Sequence, residues 1–260
     1  MRRRQWQEIE DLPACPGWLR DAMTGYLQVV IDQARPYRVA APILGGLLER
    51  TGSAAILDLA SGGGGPWPSL LSEPGLADAR VSVCLTDIEP SHEATLRLSG
   101  VSGFEYLPDP VSALAPPDLG HGVWTMFTGL HHFTPEEVKT IMRTAQQRGV
   151  AFAAFEATQR SARGVLISLF IPLIVLLLMP RVRPRRFFTL LLTYLPPLLP
   201  VVIWWDGFVS TLRTYTVSEL EAFAREVKVD GYEWRVRELP VQGAPIPVLS
   251  LVGGPTGVVA

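Results

Sequence analysis

Short runs of apolar residues recur along the chain and are separated by stretches with helical spacing. Five such runs are short enough to be buried strands: 55–59, 81–87, 104–107, 122–128 and 150–156. Apolar residues at three- and four-residue intervals predict helices at 19–33, 42–50, 68–76, 90–99 and 134–148. A further helix starts near Thr216, and the segments 232–236 and 246–252 flank a Gly/Pro turn, as in an antiparallel hairpin. This alternation predicts an α/β fold with a mostly parallel sheet.

Two long uncharged segments interrupt the pattern after the fifth strand. Residues 164–179 and 187–205 carry no charge over 16 and 19 positions, and four arginines lie between them. A spanning helix needs roughly 20 apolar residues, but prolines within both segments favour broken helices. Because both ends must return to the sheet, we expect a hydrophobic helical hairpin that dips into one leaflet or lies along it, with its arginines at lipid headgroups. A buried dimer interface and a cap over an apolar substrate pocket are the alternatives.

Composition and charge limit which classes of binding partner and which cellular compartment the sequence favours. The formal net charge is −2 and the pI is about 6.1, so no global basic field favours nucleic acid. Cys15 and Cys84 form no metal-binding spacing, and Glu8, Glu10 and Asp11 stand where the apolar core of a signal peptide would lie. We therefore expect a cytoplasmic protein in a reducing compartment, associated with the cytosolic face of a membrane.

A glycine-rich loop follows the first predicted strand, in the pattern Asp58-x-Ala60-x-Gly62-x-Gly64. Missing β-carbons let a ligand approach the backbone there. A phosphate-binding P-loop needs a Lys-Ser or Lys-Thr pair at its end, where this chain has Pro66-Trp67, and a dinucleotide site needs a third glycine. The next strand also ends in an acid, Asp87, which follows Asp58 by 29 residues. A carboxylate at that edge of a sheet can accept ribose hydroxyls.

The loop and Asp87 together resemble the cofactor site of class I S-adenosylmethionine-dependent methyltransferases, with Ala60 at the place of the usual first glycine. The resemblance covers about 53–160 and 216–252. It implies a Rossmann-like, seven-stranded, mostly parallel sheet of order 3-2-1-4-5-7-6, S-adenosylmethionine as methyl donor and S-adenosylhomocysteine as product. It also implies cofactor contacts from Asp58, Ala60, Ser61, Gly62, Gly64, Asp87, Ile88 and Thr128. The adenine contact stays open between Asp109 and Ser112.

Two adjacent histidines, His131 and His132, follow the fourth predicted strand, at the edge where reacting groups lie in this architecture. Imidazole titrates near neutrality, so one of the two is the candidate base for a phenol, hydroxyl or amine acceptor. Methyl transfer depends mainly on positioning of the acceptor, so a base is not obligatory. The alternative is a structural role, in which one of the histidines forms hydrogen bonds that stabilise an aromatic-rich turn. We expect no metal, because no third ligand lies near the pair in the sequence.

Candidate acceptor contacts lie in three parts of the chain. They are Tyr37 in the N-terminal helices, Glu156 at the end of the fifth strand, and Asp206, Arg213 and Tyr215 after the uncharged segments. In the methyltransferase family, N-terminal helices often lid the cofactor, and the region after the fifth strand often carries a substrate cap. Polar groups beside an apolar pocket fix the orientation of a ligand. The structural alternatives are ordinary packing for the residue in the N-terminal helices, and a helix cap with a salt bridge for the residues after the uncharged segments.

These inferences divide the chain into an N-terminal helical lid (1–50), a cofactor-binding core (51–160), a membrane-interacting insertion (161–206) and a closing helix with its β-hairpin (207–260). The expected function is methyl transfer to a lipophilic small-molecule or lipid-like acceptor at a membrane surface. Membrane lipids are expected partners and nucleic acid is not, and a homodimer through the insertion is the alternative. A membrane-associated cofactor-binding module without turnover and a nicotinamide-dependent oxidoreductase are the alternatives.

Overall fold

A computed structural model describes residues 1–77, 80–120 and 122–259, and within these ranges seven strands form one sheet. The strands are β1 (Ala55–Leu59), β2 (Ser82–Thr86), β3 (Phe104–Tyr106), β4 (Val123–Phe127), β5 (Ala151–Glu156), β6 (Tyr232–Leu239) and β7 (Val248–Pro255). Their order is β3-β2-β1-β4-β5-β7-β6. Strands β1 to β5 are parallel, and β7 is antiparallel to both of its neighbours. The predicted fold class and strand order are confirmed.

Helices connect and flank the strands. In the described part of the chain they are α1 (Gly17–Ala34), α2 (Ala41–Thr51), α3 (Trp67–Leu70), α4 (His92–Leu98), α5 (Pro135–Arg148), α6 (Ala162–Ser168), α7 (Ile171–Leu178), α8 (Phe187–Tyr194), α9 (Leu198–Arg213) and α10 (Val217–Glu226). The same described residues contain 3-10 helices at Pro36–Ala40, Leu130–His132 and Met179–Arg181. The helix predicted at 68–76 is much shorter in the structure. Turns follow α3, because Pro74 disfavours helix in the residue before it and Gly75 has a φ of 100°.

The sheet is covered on both faces, which explains why its central strands are almost continuously apolar. Every residue of β4 and β5 is buried. The core on one face includes Tyr37, Leu44 and Trp67, and the core on the other includes Ile141 and Leu220. This packing holds the carboxyl ends of the parallel strands at one edge of the sheet.

The two uncharged segments fold into α6 to α9 and pack on α1. A buried cluster joins Ala22 of α1 to Val175 of α7 and Ile203 of α9. Helix α9 continues through the expected domain boundary between residues 206 and 207. Gly207 makes room there for Ile171, whose Cδ1 would lie 2.4 Å from an added β-carbon. One helix therefore joins the insertion to the closing part of the chain.

The outer side of the inserted helices is apolar. Within the described residues no single helix is both long and apolar enough to cross a membrane. Two bent pairs meet the length and hydropathy requirements only when each is taken together: Ala162–Ser168 with Ile171–Arg181, and Phe187–Tyr194 with Leu198–Arg213. The exposed apolar side chains of these helices and their connections, which we call the apolar face, are Leu166, Leu169, Phe170, Leu173, Leu177, Phe187, Phe188, Leu191, Tyr194, Leu195, Leu198 and Val201.

Candidate functional site

The parallel strands β1 and β2 bring two acids to one edge of the sheet. In register, Asp58 lies beside Leu85, and Leu59 lies beside Thr86. Asp87 directly follows Thr86, so it lies at the edge where the loop after Leu59 begins. The structure thus brings Asp58 and Asp87 to the same end of the sheet.

Asp58 is 1% exposed and is held by two hydroxyl groups. Thr125 Oγ1 donates to its Oδ1 at 2.6 Å, and Ser61 Oγ donates to its Oδ2 at 2.7 Å. Burial disfavours the charged carboxylate and raises the pKa of Asp58 to about 7, although both hydrogen bonds oppose this shift. Asp58 therefore organises the loop from inside the protein.

Several residues of the loop after β1 have left-handed backbone conformations. The φ angle is 53° at Ala60, 49° at Gly62 and 98° at Gly64. This region costs residues with a β-carbon about 1 kcal/mol or more, so Ala60 is strained. An added β-carbon would meet no atom within 4 Å at Gly62, but would lie 3.1 Å from Leu98 Cδ1 at Gly64. Gly62 therefore borders open space, whereas Gly64 packs against α4.

Asp87 holds the far side of this loop. Its Oδ2 accepts a hydrogen bond from Gly62 N at 2.7 Å, and its Oδ1 accepts one from Glu89 N at 2.9 Å. Burial raises the pKa of Asp87, and these two donors oppose the shift. Each carboxylate oxygen has two acceptor positions, so one position on each oxygen remains for a further donor. Ile88, the next predicted cofactor contact, is exposed beside it.

Thr128 and Tyr37 contact each other through their hydroxyl groups. Thr128 has a φ of 50°, and its Oγ1 shares a hydrogen bond with Tyr37 OH. Tyr37 packs edge-on against Phe127 with ring centroids 5.0 Å apart, and burial raises the pKa of Tyr37 well above its ordinary value. Tyr37 therefore lies in the core, on the side of the sheet edge where Glu156 also acts on it and raises its pKa.

The 3-10 helix after β4 presents the two histidines. Glu156, at the end of β5, holds this turn: its Oε1 accepts from Leu130 N at 2.7 Å, and its Oε2 lies 2.8 Å from His131 Nδ1. His131 and Glu156 are both buried. The other ring nitrogen of His131, Nε2, faces a carboxylate from the start of the chain, Glu8 Oε1, at 3.7 Å.

His132 pairs with acids from the same N-terminal stretch. Its Nδ1 lies 2.9 Å from Asp11 Oδ1, and its Nε2 lies 3.8 Å from Glu8 Oε2. Burial opposes the charged imidazole, but the carboxylates of Glu8, Asp11 and Glu10 outweigh it and raise the pKa of His132 to about 10. His132 is therefore protonated at neutral pH in this arrangement, and an imidazolium cannot act as a general base.

Residues 3–11, which we call the N-terminal segment, lie over the histidines without forming helix or strand. Asp206 of α9 accepts hydrogen bonds from Ile9 N at 2.8 Å and from Glu10 N at 3.0 Å. Trp6 stacks on Trp205 with centroids 5.9 Å apart and an interplanar angle of 2°. The N-terminal segment is thus docked along α9.

Arg213 and Tyr215 complete the cluster around the histidines. Arg213 Nη1 lies 2.6 Å from Asp11 Oδ2, and Arg213 Nη2 donates to His132 O at 2.8 Å. Tyr215 OH donates to Phe133 O at 2.7 Å. The structure therefore gathers most of the predicted acceptor contacts around the histidine pair, and protein groups engage each of them: Glu156, Asp206, Arg213 and Tyr215.

Sequence reasoning missed Glu8 and Asp11 as partners of the histidines. Asp11 and His132 lie 121 positions apart, so no local spacing connects them. The available signal was density of charge: Glu8, Glu10 and Asp11 place three acids within four positions of an otherwise basic start. Such a cluster calls for cationic partners elsewhere in the fold.

Known proteins resemble this chain in structure. No protein-family model matches the sequence, and no curated protein matches it. The plantazolicin methyltransferase BpumL, solved in complex with SAH, is 9% identical over 92% of this chain and 96% of its own, with a TM-score of 0.56. The pyocyanin biosynthetic protein PhzM is 12% identical over 87% of this chain and 56% of its own, with a TM-score of 0.50. The mitomycin 7-O-methyltransferase MmcR is 18% identical over 85% of this chain and 54% of its own, with a TM-score of 0.49.

The coverage of these proteins is uneven. The chain spans little more than half the length of PhzM and MmcR but nearly all of BpumL. Identities this low establish the fold and nothing finer. The chain therefore has the Rossmann-like fold of class I S-adenosylmethionine-dependent methyltransferases, as the sequence resemblance implied.

Proposed function

We propose that this chain is an S-adenosylmethionine-dependent methyltransferase that acts on a lipophilic small-molecule or lipid-like acceptor at a membrane surface. The observation that carries the proposal is the left-handed loop at Gly62, paired with the Asp87 carboxylate at the carboxyl edge of β1 and β2. The likeness to BpumL, a methyltransferase solved with SAH, supports the same cofactor.

The residues present fit an adenosyl ligand. The free acceptor position on each oxygen of Asp87 suits the two vicinal hydroxyls of a ribose. Gly62 borders open space, so a sugar can approach the backbone there. Asp58 remains buried and holds the loop through Ser61. When bound, S-adenosylmethionine supplies an electrophilic methyl group on its sulfonium, and the chain's own residues bind and orient the reactants.

The histidine cluster is the proposed acceptor side of the site. With the N-terminal segment in place, Glu8 faces His131 and the pKa of His132 is about 10. A base role for either histidine therefore requires that the segment move away. Of the two, His131 is favoured, because Glu156 fixes its ring through Nδ1. An acceptor that needs no base can be methylated through positioning alone.

The apolar face supports a lipophilic acceptor and a lipid partner. Phe187 and Phe188 are 72% and 70% exposed, and the nearby Arg181, Arg183 and Arg185 are also exposed. Large exposed apolar patches are rare on monomeric soluble proteins, and basic groups beside one favour an anionic lipid surface. Helix α9 is one of the inserted helices and also carries Asp206 and Arg213 of the proposed acceptor side. Membrane docking and acceptor delivery would therefore use the same helices.

A membrane-associated cofactor-binding module without turnover is the second candidate. One observation favours it: both histidines are engaged by carboxylates of the chain itself, through Glu8, Asp11 and Glu156. A nicotinamide-dependent oxidoreductase is less favoured, because the loop lacks the third glycine of a dinucleotide site.

Equilibrium binding measurements show whether the chain binds a methyltransferase cofactor or a nicotinamide cofactor. By calorimetry we expect S-adenosylhomocysteine to bind and NAD not to bind. Asp87→Asn removes the charged acceptor of the ribose hydroxyls and should weaken S-adenosylhomocysteine binding about 10- to 100-fold, since hydrogen bonds to charged groups contribute about 1.5–3 kcal/mol. Glu105→Gln, which changes an exposed acid on the neighbouring strand β3, is the matched control and should bind normally. Binding of NAD alone, or an unchanged affinity in Asp87→Asn, contradicts the assignment.

Vesicle flotation and methyl transfer test the acceptor and the membrane. The chain should float with anionic liposomes, and Phe187→Ser with Phe188→Ser should reduce flotation, whereas Leu96→Ser, an exposed leucine on α4, should not. Radiolabelled methyl groups from S-adenosylmethionine should appear in a lipid extract. Flotation without transfer favours the module without turnover. A soluble dimer that loses its association in the Phe187/Phe188 variant favours a protein interface at the apolar face.

A further inference from the structure

We propose that Glu8, His131 and His132 bind a divalent transition-metal ion, with Zn²⁺ as the best fit. Their ligand atoms lie within 4.8 Å of one another. The sequence shows no third ligand beside the histidines, and the fold supplies one from the N-terminal segment. The site goes beyond methyl transfer and stands without it, because it uses none of the cofactor contacts.

Both imidazoles turn the same nitrogen toward one carboxylate. His131 Nε2 lies 3.7 Å from Glu8 Oε1, and His132 Nε2 lies 3.8 Å from Glu8 Oε2. Zinc bonds of about 2.0–2.2 Å place tetrahedral ligand atoms roughly 3.3–3.5 Å apart. Because the three ligand atoms lie within 4.8 Å of one another, shifts of about 1.5 Å or less would bring them to this spacing.

The opposite ring nitrogens already have the partners that metal-bound histidines use. His131 Nδ1 lies 2.8 Å from Glu156 Oε2, and His132 Nδ1 lies 2.9 Å from Asp11 Oδ1. A histidine that ligates a metal commonly donates its other N–H to a carboxylate, which fixes the ring and directs the free lone pair at the ion. Glu156 and Asp11 would hold both Nε2 atoms in this orientation.

One buried oxygen of Glu8 receives no hydrogen bond within the described residues. The Glu8 side chain is 1% exposed, and its Oε1 receives no hydrogen bond from any residue that the structure describes. Arg213 Nη1 is 3.2 Å away without hydrogen-bond geometry, and it lies closer to Asp11 Oδ2, at 2.6 Å. A buried carboxylate oxygen without a donor is costly. A metal ion between Glu8 and the two imidazoles would satisfy it while Arg213 stays with Asp11.

Two imidazoles and one carboxylate select the class of metal. Mg²⁺ and Ca²⁺ prefer oxygen ligands throughout, whereas Zn²⁺ accepts nitrogen and oxygen together. Three protein ligands leave a fourth position for water. The ion would link the N-terminal segment to the turn after β4 and hold that segment down. Because it would engage both Nε2 atoms, a base role for either histidine belongs to the metal-free state.

Zinc titration of the full chain tests the site. After removal of bound metal and then of the chelator, calorimetry and metal analysis should show one Zn²⁺ per chain. Glu8→Gln and His132→Gln should each weaken binding at least about tenfold. His92→Gln, which changes an exposed histidine on α4, is the matched control and should keep the native affinity. No Zn²⁺ binding, or equal binding in all three variants, overturns the proposal.

Hydrogen exchange gives a readout that is separate from affinity and from catalysis. The amides of Ile9 and Glu10, which donate to Asp206, should exchange more slowly when Zn²⁺ is bound to the native chain. An unchanged exchange rate on Zn²⁺ binding would contradict the link to the N-terminal segment. If Glu8→Gln no longer shows the native circular dichroism spectrum, the test uses the visible absorption spectrum of Co²⁺ bound to the native chain instead. The intense visible bands of four-coordinate Co²⁺ support the site, and only the weak bands of six-coordinate Co²⁺ overturn it.

Discussion

Replacement of Asp58 by Asn should change how the stability of the chain depends on pH. Burial raises the pKa of Asp58 to about 7, against hydrogen bonds from Thr125 and Ser61. An unfolded aspartate has a pKa of about 3.9. Between these values the folded chain binds a proton that the unfolded chain does not, so the contribution of Asp58 to the free energy of unfolding falls as pH rises from about 4 to about 7. Asparagine has no such proton.

The expected size of this change follows from the pKa difference. A difference of about 3 units at about 1.4 kcal/mol per unit sets an upper bound near 4 kcal/mol. We expect the stability of the native chain relative to Asp58→Asn to fall by roughly 2–4 kcal/mol between pH 4 and pH 7. The native chain should be relatively most stable at the acid end of this window.

Urea unfolding followed by tryptophan fluorescence measures this difference at several pH values. The comparison is valid where the two chains have equal denaturant dependence. Asp118→Asn changes an acid whose side chain is 81% exposed, so it is the matched control and should give parallel stability curves. Parallel curves for Asp58→Asn, or a native chain that gains relative stability as pH rises, would refute the reasoning about Asp58.

Two further substitutions test the packing that supports the site. Gly253→Ala should destabilise the chain by about 1–3 kcal/mol in the same unfolding assay, because the new β-carbon would lie 2.4 Å from the Trp234 ring; Gly17→Ala, whose β-carbon meets nothing within 4 Å, is its control. Thr134→Ala should cost about 1 kcal/mol by removing the capping box with Glu137, and Thr134→Ser should retain most of that stability. A neutral Gly253→Ala or Thr134→Ala would contradict the corresponding contact.

The sheet and the edge at which Asp58 and Asp87 lie were predictable because local patterns mark them. Strands buried on both faces are continuously apolar, so they stand out without knowledge of their partners. The loop after β1 needs left-handed residues at fixed positions, and Gly62 and Gly64 meet that need in the sequence. Asp87 was placed correctly at the sheet edge because parallel strands end at the same side.

The N-terminal segment was not predictable in the same way. It has no periodic apolar pattern, and it forms no helix or strand. Its position depends on single contacts to residues far along the chain, such as the hydrogen bonds that Asp206 accepts from Ile9 N and Glu10 N. Side-chain contacts of this kind are decided by the assembled fold. The histidines were therefore found as candidates, while Glu8 and Asp11, which raise the pKa of His132, were missed as its partners.

The central claim is that the loop after β1 holds an adenosyl ligand whose ribose is bound by Asp87. A crystal structure of the chain with S-adenosylhomocysteine tests it most directly. We predict both ribose hydroxyls within hydrogen-bond distance of the Asp87 carboxylate, with the ligand against Gly62. A ligand bound elsewhere, or a ribose that makes no contact with Asp87, would contradict the claim.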